Sequence, residues 1–378
     1  DRGGSRDIYP RNDRNRRNKG NISMDCPVLP ELEFSDWGGM LLEKMKGKRI
    51  PLGGIFELTN RCNLKCVHCY INESAGDRVA QSNELTTTQV KNVIDQMADA
   101  GVLFLTLTGG DVLVRSDFAE IYSHTKQRGM LISLFTNGTL LTPKIADLLA
   151  EMKPFSIEIT MYGASEEIYE QVTGISGSYK RFRNGINLLL ERKLPLLLKA
   201  FIVTINSHEL MAMKSLAESL GLEFRFDNII FPRLDGNTQP LNYQISLEEI
   251  IAQDNQDPER RNEWQKAGDA VTGQLVRAEN VFTCSAGVRS FHIDSQGKMS
   301  ICTMVRKPAY DLKQVSFQEA WSQLGLLRTQ KRKLKTICET CEIGELCSQC
   351  PGWSQIVHGD YETPVKFVCA IAHKRPEQ

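Results

Sequence analysis

The sequence predicts an α/β protein: a parallel sheet with its crossover helices, followed by a smaller cysteine-rich C-terminal module. Two observations carry this. Between residues 51 and 231, six short β-rich runs ending in Gly, Asn or Thr alternate with longer amphipathic segments, the pattern of strand–helix–strand units. From residue 284 onward that alternation gives way to short strands and closely spaced cysteines. A chain of 378 residues is long enough for one large domain and a smaller one.

The first 21 residues are rich in Arg, Asn, Asp and Gly and carry almost no apolar pattern, so they read as disordered. The chain does not begin with Met, and Met24 precedes the first segment of folded character. Residues 1–23 are therefore expected to be a dispensable tail or an expression remnant, and 24–50 a lead-in segment. Arg14, Arg16 and Arg17 read as solvated tail residues rather than a basic patch. Strands are expected over 54–59, 103–108, 131–136, 156–161, 197–204 and 224–230, and helices over 87–100, 117–128, 143–152, 179–192 and 208–220. Thr86 and Ser207 are the expected N-caps. Gly101, Gly129 and Gly221 each follow a helix where a left-handed residue belongs. Residues 232–283 read as a bridge, with a turn at 232–236 and a polar stretch, helical in pieces, over 245–280. The cysteine-rich domain takes 284–378. An open doubly wound sheet is one arrangement of the six strands, and it places ligand-binding loops at their C-terminal ends.

The 46 basic and 46 acidic residues balance, which argues against bulk attraction to nucleic acid. No apolar run is long enough to span a bilayer and no secretory signal is present. A cytoplasmic location without a membrane partner is the expectation. In that setting the 11 cysteines point to metal or redox roles rather than disulfides.

Directly after the first strand comes Cys62-Asn-Leu-Lys-Cys66-Val-His-Cys69-Tyr70. Three thiolates spaced C-x3-C-x2-C can hold three irons of a [4Fe–4S] cluster, and no fourth cysteine lies nearby to close it. Zinc is the competing use of such spacing, with His68 as a fourth donor. A residue between two ligating cysteines of a tight loop is poorly placed to share their metal. The motif resembles that of the radical S-adenosylmethionine (SAM) enzymes. The resemblance implies a partial (β/α)6 radical SAM barrel over 51–231. It also implies an open iron chelated by the amino and carboxylate groups of SAM, an external electron donor, and reductive cleavage to a 5′-deoxyadenosyl radical that abstracts hydrogen from substrate.

The same resemblance assigns further residues. Tyr70 takes the place of an aromatic packed by the cluster. Gly109, Gly110 and Asp111 match a Gly-Gly-Glu motif that receives the amino group of SAM, with Asp one methylene shorter. Thr136, Asn137 and Thr160, at the ends of the third and fourth strands, are candidates for ribose and carboxylate contacts. Lys199 is a candidate for neutralising the SAM carboxylate, against an ordinary role as a snorkelling edge lysine.

The C-terminal cysteines, Cys284, Cys302, Cys338-x2-Cys341-x5-Cys347-x2-Cys350 and Cys369, resemble a SPASM domain, which carries auxiliary iron–sulfur clusters in a subgroup of this family. The spacing between Cys347 and Cys350 is one residue shorter than the subgroup's usual one. The resemblance implies a distal cluster on Cys338, Cys341, Cys347 and Cys369. It implies a nearer one on Cys284, Cys302 and Cys350, completed by Cys26, by an oxygen donor or by substrate. Taken alone, the two C-x2-C pairs would instead suit a zinc ribbon of Cys338, Cys341, Cys347 and Cys350. Arg306, Lys307 and Lys313 are basic residues that could offset cluster charge, although exposed basic residues are commoner.

SPASM-type enzymes commonly modify peptides or proteins. The expected function is maturation of a ribosomally made peptide (RiPP) by crosslinking, epimerisation or backbone excision, and the run Arg225–Gly236 resembles the sheet-to-bridge stretch of such maturases. Residues 1–50 are too short and irregular for a precursor-recognition domain, so a separate recognition protein is expected, or direct binding by the barrel. The alternatives are a sulfatase-maturing enzyme, an enzyme that builds a small-molecule cofactor, and a non-enzymatic metal-binding scaffold. The sequence names no catalytic acid, base or hydrogen donor.

Overall fold

The computed structural model describes residues 34–71, 73–269, 279–343 and 347–375. Two of the expectations above, the tail at 1–23 and Cys26 as a ligand, lie outside the described residues. The chain divides into two compact units, Asp1–Ile50 and Pro51–Gln378. The described part of the first contains one helix, α1 (Phe34–Lys44).

The described residues of the second unit form eleven strands: β1 (Gly53–Thr59), β2 (Arg61–Cys62), β3 (Glu73–Ser74), β4 (Phe104–Gly109), β5 (Leu131–Thr136), β6 (Ser156–Thr160), β7 (Leu196–Phe201), β8 (Glu223–Asp227), β9 (Ser290–Ile293), β10 (Lys298–Ser300) and β11 (Tyr310–Asp311). Nine of them make one sheet in the order β11-β10-β9-β1-β4-β5-β6-β7-β8. The six from β1 to β8 are parallel and lie side by side in chain order. A doubly wound sheet reverses its strand order at a switch point. Here no reversal occurs, so the winding is that of a barrel. The two faces agree. Phe56, Leu58, Leu105, Leu107, Ile132, Leu134, Ile157, Ile159 and Leu198 form the apolar face and are fully buried in one core with helical residues such as Ile94, Ile121, Leu149, Leu189 and Met213. The alternate residues on the other face include Glu57, Thr106, Ser133, Glu158, Thr160, Lys199 and Arg225. One face is thus covered by helices, and the other is a polar inner face available for chemistry.

The helices that cover the sheet follow from local signals. Thr86 forms a capping box with Gln89 at the start of α3 (Thr87–Asp99), after the short α2 (Arg78–Asn83). Next come α4 (Phe118–Gln127) and α5 (Pro143–Glu151), the latter with Pro at its first position and Thr142 as cap. Two helices then fill the β6–β7 crossover, α6 (Glu166–Thr173) and α7 (Ser178–Glu191). The sequence reading contains only the second, because α6 is short; its signals are the Ser165 cap and the left-handed Gly174 that ends it. Before α8 (Leu210–Ser219), Ser207 opens a three-residue 3-10 turn and makes no side-chain cap, unlike the expectation. Strand β7 also stops at Phe201 rather than 204, because Asn206 folds back and accepts a hydrogen bond from the Val203 amide at 2.8 Å.

The bridge holds α9 (Leu247–Gln256) and α10 (Pro258–Asp269). The cysteine-rich region continues the barrel sheet: β9 adds in parallel to the free edge of β1, and β10 and β11 follow antiparallel. It also contains α11 (Phe317–Leu324), α12 (Pro351–His358) and α13 (Lys366–Lys374). Trp353 of α12 packs on Phe231, with ring centroids 4.1 Å apart, and so ties the module to the end of the barrel segment. No helix among the described residues is long and apolar enough to cross a membrane.

Candidate metal and cofactor centre

The cysteine loop leaves the C-terminal end of β1 and is pinned from several sides. Arg61 grips Glu84 through two hydrogen bonds, Nε at 2.8 Å and Nη2 at 3.0 Å, and Thr59 donates to the same carboxylate. The amides of Lys65 and Val67 donate to Thr173 and Val172 at the end of α6. The next strand approaches so closely that side chains have no room. A Cβ on Gly109 would lie 2.0 Å from the Thr59 carbonyl oxygen, and one on Gly110 would lie 2.4 Å from that of Arg61. The Gly-Gly pair is therefore required first by the chain's own backbone. The Gly110 amide donates to Thr59 at 2.7 Å and the Asp111 amide to Arg61 at 3.0 Å. A ligand amino group at this place would have to be received by carbonyl oxygens.

Asp111 is buried, and its carboxylate accepts from the Thr136 hydroxyl and the Asn137 amide at 2.8 Å and from the Leu113 amide at 2.9 Å. Burial raises its pKa, opposed by these three hydrogen bonds. The shorter acid thus folds back onto the ends of β4 and β5, with Thr136 beside it. The Asn137 side chain reaches the cysteine loop, with Nδ2 3.6 Å from Cys62 Sγ and 3.0 Å from Asn63 Oδ1. Thr160 is buried at the end of β6, opposite Lys199 in register. Lys199 is no snorkelling lysine: its Nζ lies 3.3 Å from Glu158 and 3.2 Å from the centre of the Phe135 ring.

The thiols of Cys62, Cys66 and Cys69 lie close enough to raise one another's pKa. Burial pushes Cys62 up to about 12, helped by the charge of Asp111, and pushes Cys66 well above its ordinary value. Three crowded thiols, one buried and two half-buried, do not ionise together readily unless a cationic centre accepts them, so the donor set suits a metal cluster that binds thiolates. Among the described residues, no three His, Cys, Asp or Glu side chains converge tightly enough to hold a single ion. His68 packs between Tyr162 and Phe201, with ring centroids 5.6 Å from each. Burial lowers its pKa to about 4, so it stays neutral.

Two contributors escaped the sequence reading. The Tyr162 hydroxyl donates to the Cys66 sulfur. Beneath Tyr70, the fully buried Glu57 accepts the Tyr70 hydroxyl at 3.1 Å and a bidentate pair from Arg306 at 2.7 and 2.8 Å, with His292 Nε2 at 3.3 Å. Burial pushes the Glu57 carboxyl up, but His292 and Arg306 more than offset this and hold it well below the usual carboxylate range. Strict hydrophobic–polar alternation in β1 would have flagged Glu57; its partners lie too far along the chain for any local signal.

The C-terminal cysteines separate into two groups. Cys338, Cys341, Cys347 and Cys369 influence one another electrostatically, and so do Cys284, Cys302 and Cys350. The neighbours of Cys350 are those of the second group, an arrangement unlike a ribbon of Cys338, Cys341, Cys347 and Cys350. Burial pushes Cys302 up to about 11. Its sulfur accepts from the Val305 amide at 3.3 Å, and Cys350, at the start of α12, accepts from the Trp353 amide at 3.4 Å. No disulfide joins the ten cysteines of the three groups.

Comparison with known proteins decides the family. Residues 56–219 match the model of the Radical SAM superfamily. The chain belongs to the radical SAM superfamily. Its cofactors are accordingly a [4Fe–4S] cluster and SAM, and the cysteine-rich C-terminus is of the SPASM type. Three comparisons place this radical SAM enzyme further. It is 27% identical over 326 residues to the AdoMet-dependent heme synthase of Methanosarcina barkeri (strain Fusaro / DSM 804), covering 81% of this chain and 93% of that one. It is 30% identical over 269 residues to the antilisterial bacteriocin subtilosin biosynthesis protein AlbA of Bacillus subtilis (strain 168), covering 68% of this chain and 56% of that protein. The fold matches Streptococcus suis SuiB bound to precursor peptide SuiA, with a TM-score of 0.68 at 14% identity over 92% of this chain and 84% of that one.

Proposed function

We propose that this radical SAM enzyme modifies a peptide, as a maturase of a ribosomally made precursor. The observation that carries the reading is the grouping of ten cysteines into one three-thiol loop at the barrel mouth and two further sets, in an enzyme similar to a bacteriocin biosynthesis protein. In this reading Cys62, Cys66 and Cys69 would hold the SAM cluster. Cys338, Cys341, Cys347 and Cys369 hold a distal auxiliary cluster, while Cys284, Cys302 and Cys350 hold a nearer one. When bound, the cluster and SAM supply one-electron cleavage and hydrogen-atom abstraction. The chain's part is to position and exclude water: Gly109 and Gly110 let β4 close on the loop, and Asp111 and Thr136 fix its floor. Asn137 and Tyr162 orient Cys62 and Cys66, and Tyr70 and Thr160 line the cofactor's approach. A leader-binding protein that presents the peptide would raise its effective concentration at the barrel, and an external donor would supply the electron.

A second reading, action on a porphyrin, is favoured by the heme synthase similarity over 93% of that relative. The test is anaerobic incubation of the cluster-reconstituted enzyme with SAM and reductant, with either a short precursor encoded beside it or an iron coproporphyrin. Mass spectrometry of both substrates is the readout. A mass change in the precursor supports the peptide reading. A change in the porphyrin alone rejects it.

A further inference from the structure

We propose that Lys199 and Arg225, gathered on the inner barrel face beside Glu158, form the subsite that receives a substrate carboxylate; for the peptide reading above, this is the side chain of a glutamate or aspartate. Register fixes the cluster. Thr160 pairs with Lys199 and Lys199 with Arg225, so all three project to the face that also carries Glu158. The Lys199 ammonium lies 3.3 Å from Glu158 Oε2, and the Arg225 Nη2 bonds the same oxygen. Among the described residues, Glu158 is the one ion-pair partner of both cations. Glu223 and Asp227, at the exposed ends of β8, flank Arg225 on the same face; Glu223 feels the charge of Arg225 and Lys199 that of Asp227, but neither acid forms an ion pair with either cation.

Two cations sharing one carboxylate oxygen are under-paired. A guanidinium presents five N–H donors in a planar fork shaped for a carboxylate, and the Glu158 contact uses one edge of it. Exposure says which partner is open. The side chain of Glu158 is 4% exposed and that of Lys199 16%, but Arg225 reaches 41%, on the edge strand where an incomplete barrel opens sideways. The location suits a substrate. Phe201, two residues beyond Lys199 on the same face, packs against His68 of the cysteine loop, so the subsite lies one layer below that loop. Burial lowers Lys199 to about 8, with Arg225 adding to the fall and Glu158 opposing it. A second carboxylate would complete a square of two cations and two anions.

The test uses the full-length, cluster-reconstituted, SAM-loaded enzyme and ligand-observed NMR. Its probes are N-acetylglutamate amide and the neutral isostere N-acetylglutamine amide. The expected result is a preference of about tenfold for the charged probe, as a charge-assisted hydrogen bond supplies. Arg225→Gln should abolish the preference. Glu158→Gln should strengthen binding of the charged probe severalfold by removing the competing internal carboxylate, an outcome that a purely structural ion cluster would not give. Equal binding of the two probes to the wild-type enzyme overturns the proposal. So does a fall in SAM affinity that parallels Arg225→Gln, because it assigns the cations to the cofactor's own carboxylate. Coproporphyrin III, added as competitor, identifies the source of the carboxylate: displacement of the glutamate probe keeps the subsite and gives it to a porphyrin propionate. Discrimination between the probes without precursor modification leaves the subsite standing and rejects the peptide reading. A modified precursor without discrimination does the reverse.

Discussion

Replacing Arg306 by Met should unhinge the barrel floor, and the effect can be worked out from the structure. The guanidinium makes two hydrogen bonds of 2.7 and 2.8 Å to Glu57, which is fully buried. Removing one partner of a buried pair typically costs about 3–5 kcal/mol, because the remaining charge is left without compensation. Arg306 is 21% exposed and His292 still faces the carboxylate, so the lower end applies: about 3 kcal/mol, or roughly 6 °C in Tm for a large domain. The pH dependence has a definite sign. Glu57 has a depressed pKa in the folded protein, so its stabilising contribution is present above the ordinary value of 4.5 and lost only as pH falls through the folded value. Without Arg306 the folded pKa rises. The variant's deficit should therefore be largest near neutral pH and shrink as pH falls below about 5, where the orphaned carboxylate takes up a proton. Anaerobic thermal unfolding followed by circular dichroism, repeated from about pH 4.5 to 8, measures both. The double variant Glu57→Gln with Arg306→Met should be less destabilised than the sum of the singles by about 1.5 kcal/mol or more. A loss under about 1 kcal/mol, constant across pH, would refute the reasoning and make the contact an ordinary surface ion pair.

Three further outcomes are expected. Protein with Cys62, Cys66 and Cys69 all changed to Ala should keep iron at its C-terminal cysteines yet form no 5′-deoxyadenosine, as iron analysis and chromatography would show; undiminished product would sink the assignment. Asp111→Ala strips acceptors from the Thr136 hydroxyl and the Asn137 and Leu113 amides, so it should lower stability by about 2 kcal/mol and weaken SAM binding roughly tenfold, whereas Asp111→Asn should lose less of both. Unchanged SAM affinity in the Ala variant, measured by equilibrium dialysis, would separate the acid from the cofactor floor. Tyr162→Phe removes a hydrogen bond to the Cys66 sulfur and should move the reduction potential of the SAM cluster to a more negative value in a redox titration, while leaving the iron content unchanged.

The strands were legible because each carries a local signature. Leu131–Thr136, for example, alternates buried and partly exposed positions and ends before an Asn-Gly turn. The three-thiol loop was legible for a similar reason, since its spacing alone limits the metals it can serve. Helix α6 was not, being only eight residues long. The winding of the sheet could not be read from the six strands alone, since doubly wound and barrel arrangements share the same alternation. The two faces settle it only after pairing is known: Glu57, Glu158 and Arg225 look like isolated polar interruptions until register aligns them. The role of Gly109 and Gly110 was half legible. The motif they resemble was clear, but the group that requires the glycines is the Thr59–Arg61 backbone. Arg306 read as an ordinary basic residue because its partner is 249 positions away.

That distant pairing explains why the cysteine-rich module adds to the edge of β1 rather than elsewhere. Strand β9 lies parallel to β1, with His292 opposite Ile55, so His292 emerges on the same face as Glu57. Arg306, four residues after Cys302, closes on the same carboxylate. Tyr70, immediately after Cys69, reaches it from the other side at 3.1 Å. One buried acid near the C-terminal end of β1 therefore touches a residue next to the barrel's cysteine loop and a residue just beyond a cysteine of the second field. Packed interiors transmit displacement because they contain little free volume. A shift of either loop must then be felt by the other through Glu57. Fixed separation between redox centres is what electron exchange between them requires, and a charged, bidentate clamp holds orientation as well as distance. The contacts of the fully buried Glu57 thus serve the relative placement of the chain's cysteine groups.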